Sequence, residues 1–148
     1  MPTTHTSLEH HFVFSTKDRF PFLGPAIRDR VHEYLGGCLR TEGAAPLTIG
    51  GVEDHVHILA GLRPTHAVAS VMREVKRVSS KWMHEEMGVP RFAWQEGYGA
   101  FAVSRSNVTA VAKYIETQEE HHRKRTFQDE YKRLLARHGI EFDVRYLW

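Results

Sequence analysis

The chain has 148 residues, 41% hydrophobic and 26% charged, the composition of one globular domain with a real core rather than a disordered tail or a multidomain assembly. No run of about 18 uncharged apolar residues occurs and Met1 to His11 lacks a signal-peptide core, so neither membrane insertion nor secretion is expected, and a cytoplasmic location is. A formal charge of +2 does not announce a nucleic-acid partner, and a single cysteine, Cys38, against 11 histidines leaves imidazole, carboxylate and amide groups as the available metal ligands.

Leu8 to Ser15 sets Leu8, His10, Phe12 and Phe14 against Glu9, His11, Val13 and Ser15, a period of two that predicts a strand with one apolar face. Ala26 to Thr41 spaces Ile27, Val31, Tyr34, Leu35 and Leu39 as a helix, weakened by Gly36 and Gly37. Leu47–Glu53 and His55–Leu62 are predicted as an antiparallel pair. Thr65 is the expected cap of a second helix to about Met87, with Val68, Val71, Met72, Val75, Val78 and Trp82 as its buried stripe. A short strand, Ala100 to Ser104, precedes a third helix capped by Ser106 and running to about His122, and Phe127 to His138 is a fourth. This order predicts an α+β, ferredoxin-like (split βαβ) fold, an antiparallel sheet with both helices on one face, plus C-terminal helices. The expected division is a single domain over 1–148, with a core at 1–105, a helix segment at 106–125 and a C-terminal helix and tail at 126–148.

Strand alternation places His55 and His57 on one face, close enough for both to bind one ion. At this histidine content roughly 0.8 H-x-H occurrences arise by chance, so two partly exposed strand histidines are an equally good reading of the motif alone. Tyr114 and Gln118 share a helix face at i, i+4. A tyrosine there is ordinarily a core or rim aromatic, but its phenol is a nucleophile once deprotonated, and the glutamine amide oxygen is a neutral hard ligand. Two imidazoles and an amide would leave a divalent cation its full charge, which suits a phosphodiester substrate.

Residues 1–64 carry 6 Lys+Arg and 7 Asp+Glu, whereas residues 65–148 carry 14 and 11. The excess gathers at Arg73, Lys76, Arg77 and Lys81 and at Arg123, Lys124 and Arg125, either as solvated helix faces or as phosphate contacts.

The segments DHVHILAGL (54–62), WQEGYGAFAVSRS (94–106) and YIETQEEHH (114–122), with His10 and His11 on an opening strand, resemble the HUH-type single-tyrosine DNA transposases of the insertion-sequence 200/605 group. The resemblance implies that His55, His57 and Gln118 hold Mg²⁺ or Mn²⁺. It also implies that Tyr114 attacks single-stranded DNA at hairpin-forming element ends, giving a 5′-phosphotyrosine and a free 3′-hydroxyl without a nucleotide cofactor. It further implies a homodimer in which active sites can be shared. No base for Tyr114 is evident, with His121 one candidate. The segment after Gln118 reads as a packing helix with an aromatic tail (Phe142, Tyr146, Leu147, Trp148) or as a DNA-contacting extension. The second reading raises kinship with domesticated transposases of repeated extragenic palindromes, in which an Asn-Pro pair is expected where this chain has Thr117-Gln118-Glu119. A noncatalytic hairpin or single-strand binder using Trp94, Tyr98 and Phe101 for stacking, and a histidine-dependent phosphodiesterase, are the competing functional classes.

Overall fold

A computed structural model describes residues 3–148. Strands β1 (Glu9–Ser15), β2 (Ala45–Gly51), β3 (His55–Gly61) and β4 (Gly99–Val103) form one sheet in the order β2-β3-β1-β4, antiparallel throughout. Helices α1 (Arg28–Thr41) and α2 (Val68–Glu85) cross over between strands. The ferredoxin-like order is therefore the observed one. The main core lies between the sheet and this helix pair, where Phe12, Phe14, Val56 and Ile58 meet Leu35, Leu39, Met72 and Val75, all essentially without solvent contact.

The second face of the sheet is also covered. Helices α3 (Val108–Glu116), α4 (Gln118–His122) and α5 (Phe127–Arg137) follow β4. Ile115 packs with Leu59 and Val103, and Phe127, Tyr131, Leu134 and Leu135 pack on Val13 and Phe101. The predicted one-sided strand at the N-terminus is thus buried on both faces from His11 to Ser15, because α5 covers what the pattern left to solvent. Two glycines allow the close approach. Gly50, His57, Val13 and Gly99 form one row across the sheet. A Cβ on Gly50 would lie 2.2 Å from the Ile115 carbonyl oxygen, and one on Gly99 would lie 2.8 Å from the Tyr131 ring.

Local punctuation differs from the sequence reading in three places. Thr65 does not cap α2. It sits in a turn after Pro64 closed by His66 N–H to the Arg63 carbonyl (3.0 Å), and the helix starts after Ala67 with no side-chain cap. Ser106 lies inside a 3-10 turn, Arg105–Asn107, so α3 begins only at Val108. The third helix is not continuous to His122, for Thr117 leaves helical geometry (φ −105°, ψ 26°) and separates α3 from α4. The Thr117 hydroxyl donates back to the Lys113 carbonyl at 3.0 Å, a local bond that competes with the helix ladder and bends it.

The C-terminal segment packs by α5. Of its tail, Leu147 packs half-buried against the α5 cluster, and Trp148 approaches Phe127 and Tyr131 but is exposed, as are Phe142 and Tyr146. No helix among the described residues is long and apolar enough to cross a membrane.

Candidate active site

The strand period carries His55 and His57 to the face under α3–α5, where neither has any solvent exposure. This removes the reading of two partly exposed strand histidines. Asp54, in the turn between β2 and β3, accepts from His55 Nδ1 at 2.7 Å and so aims Nε2 inward. The neighbouring strand supplies His11, whose Nε2 lies 2.8 Å from His57 Nδ1 and fixes that ring in the same way. Orienting bonds of this kind on the far ring nitrogen are what metal-binding imidazoles ordinarily have.

Gln118 opens α4 and is 1% exposed; its Oε1 accepts from His55 Nε2 at 3.2 Å and from His122 Nε2 at 3.0 Å. The helix break does not separate it from Tyr114, since its amide nitrogen still donates to the Tyr114 carbonyl at 3.3 Å. Arg28, at the start of α1, holds α4 from outside through Glu119 (2.8 Å).

At the centre stands Glu130 of α5, 3% exposed. Its Oε1 lies 2.9 Å from His57 Nε2, 3.2 Å from His122 Nε2 and 3.4 Å from His55 Nε2, and its Oε2 accepts from the Tyr114 hydroxyl. His55, His57, His122 and Glu130 each offer one ligand atom, all within 4.8 Å of one another, and could hold one ion. The predicted set of His55, His57 and Gln118 therefore meets around one point, joined by two residues not assigned to it beforehand. Glu130 had a sequence signal. It occupies the apolar stripe Phe127, Tyr131, Leu134, Leu135, a place where a carboxylate is buried only if paired. The hydroxyl of Tyr114 meets this carboxylate rather than His121, whose Nε2 bonds Thr117 instead (3.1 Å).

Burial works against charge throughout the cluster. It lowers the pKa of His57 to about 4 despite Glu130, and that of His11 to about 3 with help from His57. At His55 burial is outweighed by the hydrogen bonds to Asp54 and Glu130, which raise it to about 9. At Glu130 burial is likewise overcome, by bonds from His122, His55 and His57, which hold the carboxyl far below the usual range. Tyr114 is pushed well up by burial and by the negative charge of Glu130.

The two basic groups separate. Arg123, Lys124 and Arg125 lie between α4 and α5 on the site's side of the sheet, exposed. Arg73, Lys76, Arg77 and Lys81 belong to α2, which packs on the opposite face. Lys76 is half-buried there and donates to the carbonyls of Gln95, Glu96 and Gly97 at 2.5, 3.2 and 2.8 Å, so its ammonium fastens a loop. Arg77 pairs with Glu74 at 2.8 Å.

The family described as transposase, IS200-like, matches residues 4–118, more than three quarters of the chain. The chain belongs to the IS200-like transposase family. A curated relative, the ISDra2 transposase TnpA of Deinococcus radiodurans, is 25% identical over 121 residues, covering 76% of this chain and 85% of that protein. A crystal structure of a protein assigned as a transposase from Deinococcus radiodurans R1 superposes with TM-score 0.63 at 24% identity, covering 80% of this chain and 98% of that one. A REP-associated tyrosine transposase bound to a REP hairpin shares the fold with TM-score 0.56 at 16% identity, over 78% and 70% of the two chains. The IS200-like match takes in His55, His57, Tyr114 and Gln118 and ends there. His122 and Glu130 lie beyond it, in the segment that closes the site.

Proposed function

We propose that this IS200-like transposase cleaves and rejoins single-stranded DNA at insertion-sequence ends, with Tyr114 as nucleophile. The observation that carries the reading is the convergence, within one chain, of the Tyr114 hydroxyl with His55, His57 and Gln118 around a single buried point. In the step proposed, the Tyr114 oxygen bonds to the scissile phosphorus as the bond to the 3′-oxygen breaks. The phenolic proton is lost and the departing 3′-oxygen gains one, leaving a 5′-phosphotyrosine and a 3′-hydroxyl. One phosphodiester replaces another, so no nucleotide cofactor is required.

The donors fit a divalent cation such as Mg²⁺ or Mn²⁺: imidazole nitrogens oriented from behind, an amide oxygen and a carboxylate, with no thiolate. His55, His57 and Gln118 would hold it with Glu130 and His122 in reach, and it would offset charge developing on the nonbridging phosphate oxygens. The chain's own residues supply the rest. Asp54 and His11 keep the imidazoles turned inward, Glu130 docks the phenol against them, and α3 to α5 exclude water from the cluster. Arg123, Lys124 and Arg125, on the same side as Tyr114, are the proposed phosphate contacts near the cut. Arg73, Arg77 and Lys81 could reach only DNA that passes to the other face. The hairpin-bound fold neighbour supports hairpin DNA as the substrate form, and a homodimer remains part of the proposal.

The test incubates the protein with single-stranded element-end DNA and Mn²⁺ and looks for a covalent adduct stable to denaturant. Wild type is expected to form it and Tyr114→Phe to form none. An equal yield from Tyr114→Phe rejects the assignment, and hairpin binding without any adduct across varied ends favours a noncatalytic binder.

A further inference from the structure

Tyr114 stands between two depressions on the α3–α5 side. One, a cleft of about 510 Å³, runs between α3 and α5 over a floor that includes His11 and Phe101, and is edged by Arg133 and Arg137. The other, about 540 Å³, lies on the far side of the tyrosine and is edged by Lys113, Lys124 and Glu120. Both are lined by Tyr114, Arg125 and Glu130, so they meet at the nucleophile. Arg125, Arg133 and Arg137 are exposed, and among the described residues none has a carboxylate within ion-pair distance. Glu130, the acid at the junction, already has its oxygens engaged by three imidazoles and the phenol. Arg133 and Arg137 are i, i+4 neighbours, stacked on one face of α5 about 6 Å apart along its axis. Below them the rings of Phe101 and His138 stack at 4.4 Å, and Val111 and Leu134 supply apolar walls.

We infer that these depressions form one track for a single DNA strand, with Arg133 and Arg137 gripping successive phosphates on one side of the cut and Arg125 facing the scissile phosphate. Cations along the rim and an aromatic, apolar floor are what an unstacked single strand requires: phosphates outside, bases turned in. The grip comes from α5, beyond the part of the chain that the family match covers. The inference rests on the reading of Tyr114 as nucleophile, and its test reads binding without turnover so that the two can fail separately.

Fluorescence anisotropy of an unstructured single-stranded oligonucleotide is measured over a salt series with the full chain. The double variant Arg133→Gln/Arg137→Gln is expected to bind roughly tenfold more weakly, with a log K against log salt slope shallower by about 1.4, two phosphate contacts' worth. Arg30→Gln/Arg40→Gln on α1, on the other face of the sheet, removes the same charge and is expected to leave the slope unchanged. Where an adduct forms, the α5 variant should raise KM and spare kcat. A wild-type slope in the α5 variant, an equal loss in the α1 variant, or no oligonucleotide binding by wild type overturns the track. Absence of adduct with binding and slopes as expected rejects only the chemistry of Tyr114.

Discussion

Gly50→Ala tests whether the approach of α3 to the sheet sets the position of Tyr114, the proposed nucleophile. The added Cβ would lie 2.2 Å from the Ile115 carbonyl oxygen and 3.0 Å from that residue's carbonyl carbon and Cγ2, where ordinary contact begins near 3.4 Å. Backbone cannot rotate away as a flexible side chain can, so α3 must lift by about 1 Å, and Tyr114 is the residue next to Ile115. Two energies oppose each other. Overpacking costs about 1–3 kcal/mol, while replacing a glycine that is not at positive φ gains about 0.4–1 kcal/mol by restricting the unfolded chain. Because the clash is with backbone the first wins, leaving a net loss of up to about 2.6 kcal/mol. Misplacement of the phenol by that distance should slow adduct formation by about 10²-fold. Gly37→Ala in α1 is the matched control, since its Cβ would meet nothing within 4 Å; it should stabilise by about 0.5–1 kcal/mol and leave the rate unchanged. Urea denaturation and single-turnover adduct yield are the assays. A Gly50→Ala protein as stable as Gly37→Ala and as fast as wild type would refute the argument.

Because all the site groups meet within one chain, mixing Tyr114→Phe with His57→Ala should not restore adduct formation; recovery in the mixture would show that the site is assembled between subunits. Mn²⁺ at 100 times its Kd should stabilise wild type against denaturant by about 2.7 kcal/mol, and Glu130→Gln should weaken that binding about 10–100-fold if the carboxylate belongs to the cation's surroundings; an unchanged titration removes it. Without metal, stability should peak near pH 6.5. His11, His32 and His57, held near 3, 4 and 4 by burial, are neutral when folded and take up protons on unfolding, so stability falls with acid below the ordinary histidine pKa of 6.5. His55, raised to about 9, contributes stability that is full below 6.5 and is lost as pH climbs through 9. Denaturation midpoints in chelator that rise steadily to pH 9 contradict a charged His55. Cys38, buried and pushed up to about 11, should resist thiol reagents until the chain unfolds.

The order of elements and the facing of His55 and His57 were legible in the sequence because both depend on local period: two residues in a strand, 3.6 in a helix. Element ends were less so. Thr65 and Ser106 are good caps by composition, but Pro64 and the Arg105–Asn107 turn had already committed their backbone elsewhere. The break at Thr117, where the backbone leaves helical geometry beside a hydroxyl bonded back to Lys113, is a local detail that no periodicity records. What only the tertiary structure decided was the closure of the site. Glu130 is twelve residues past Gln118 and 73 past His57 in the chain, and becomes their neighbour only because glycines at 50 and 99 let α3 and α5 settle on the sheet from both edges. Local pattern can put a carboxylate on a helix's inner face. Which imidazoles it meets there follows from how two helices share one sheet, a long-range packing fact.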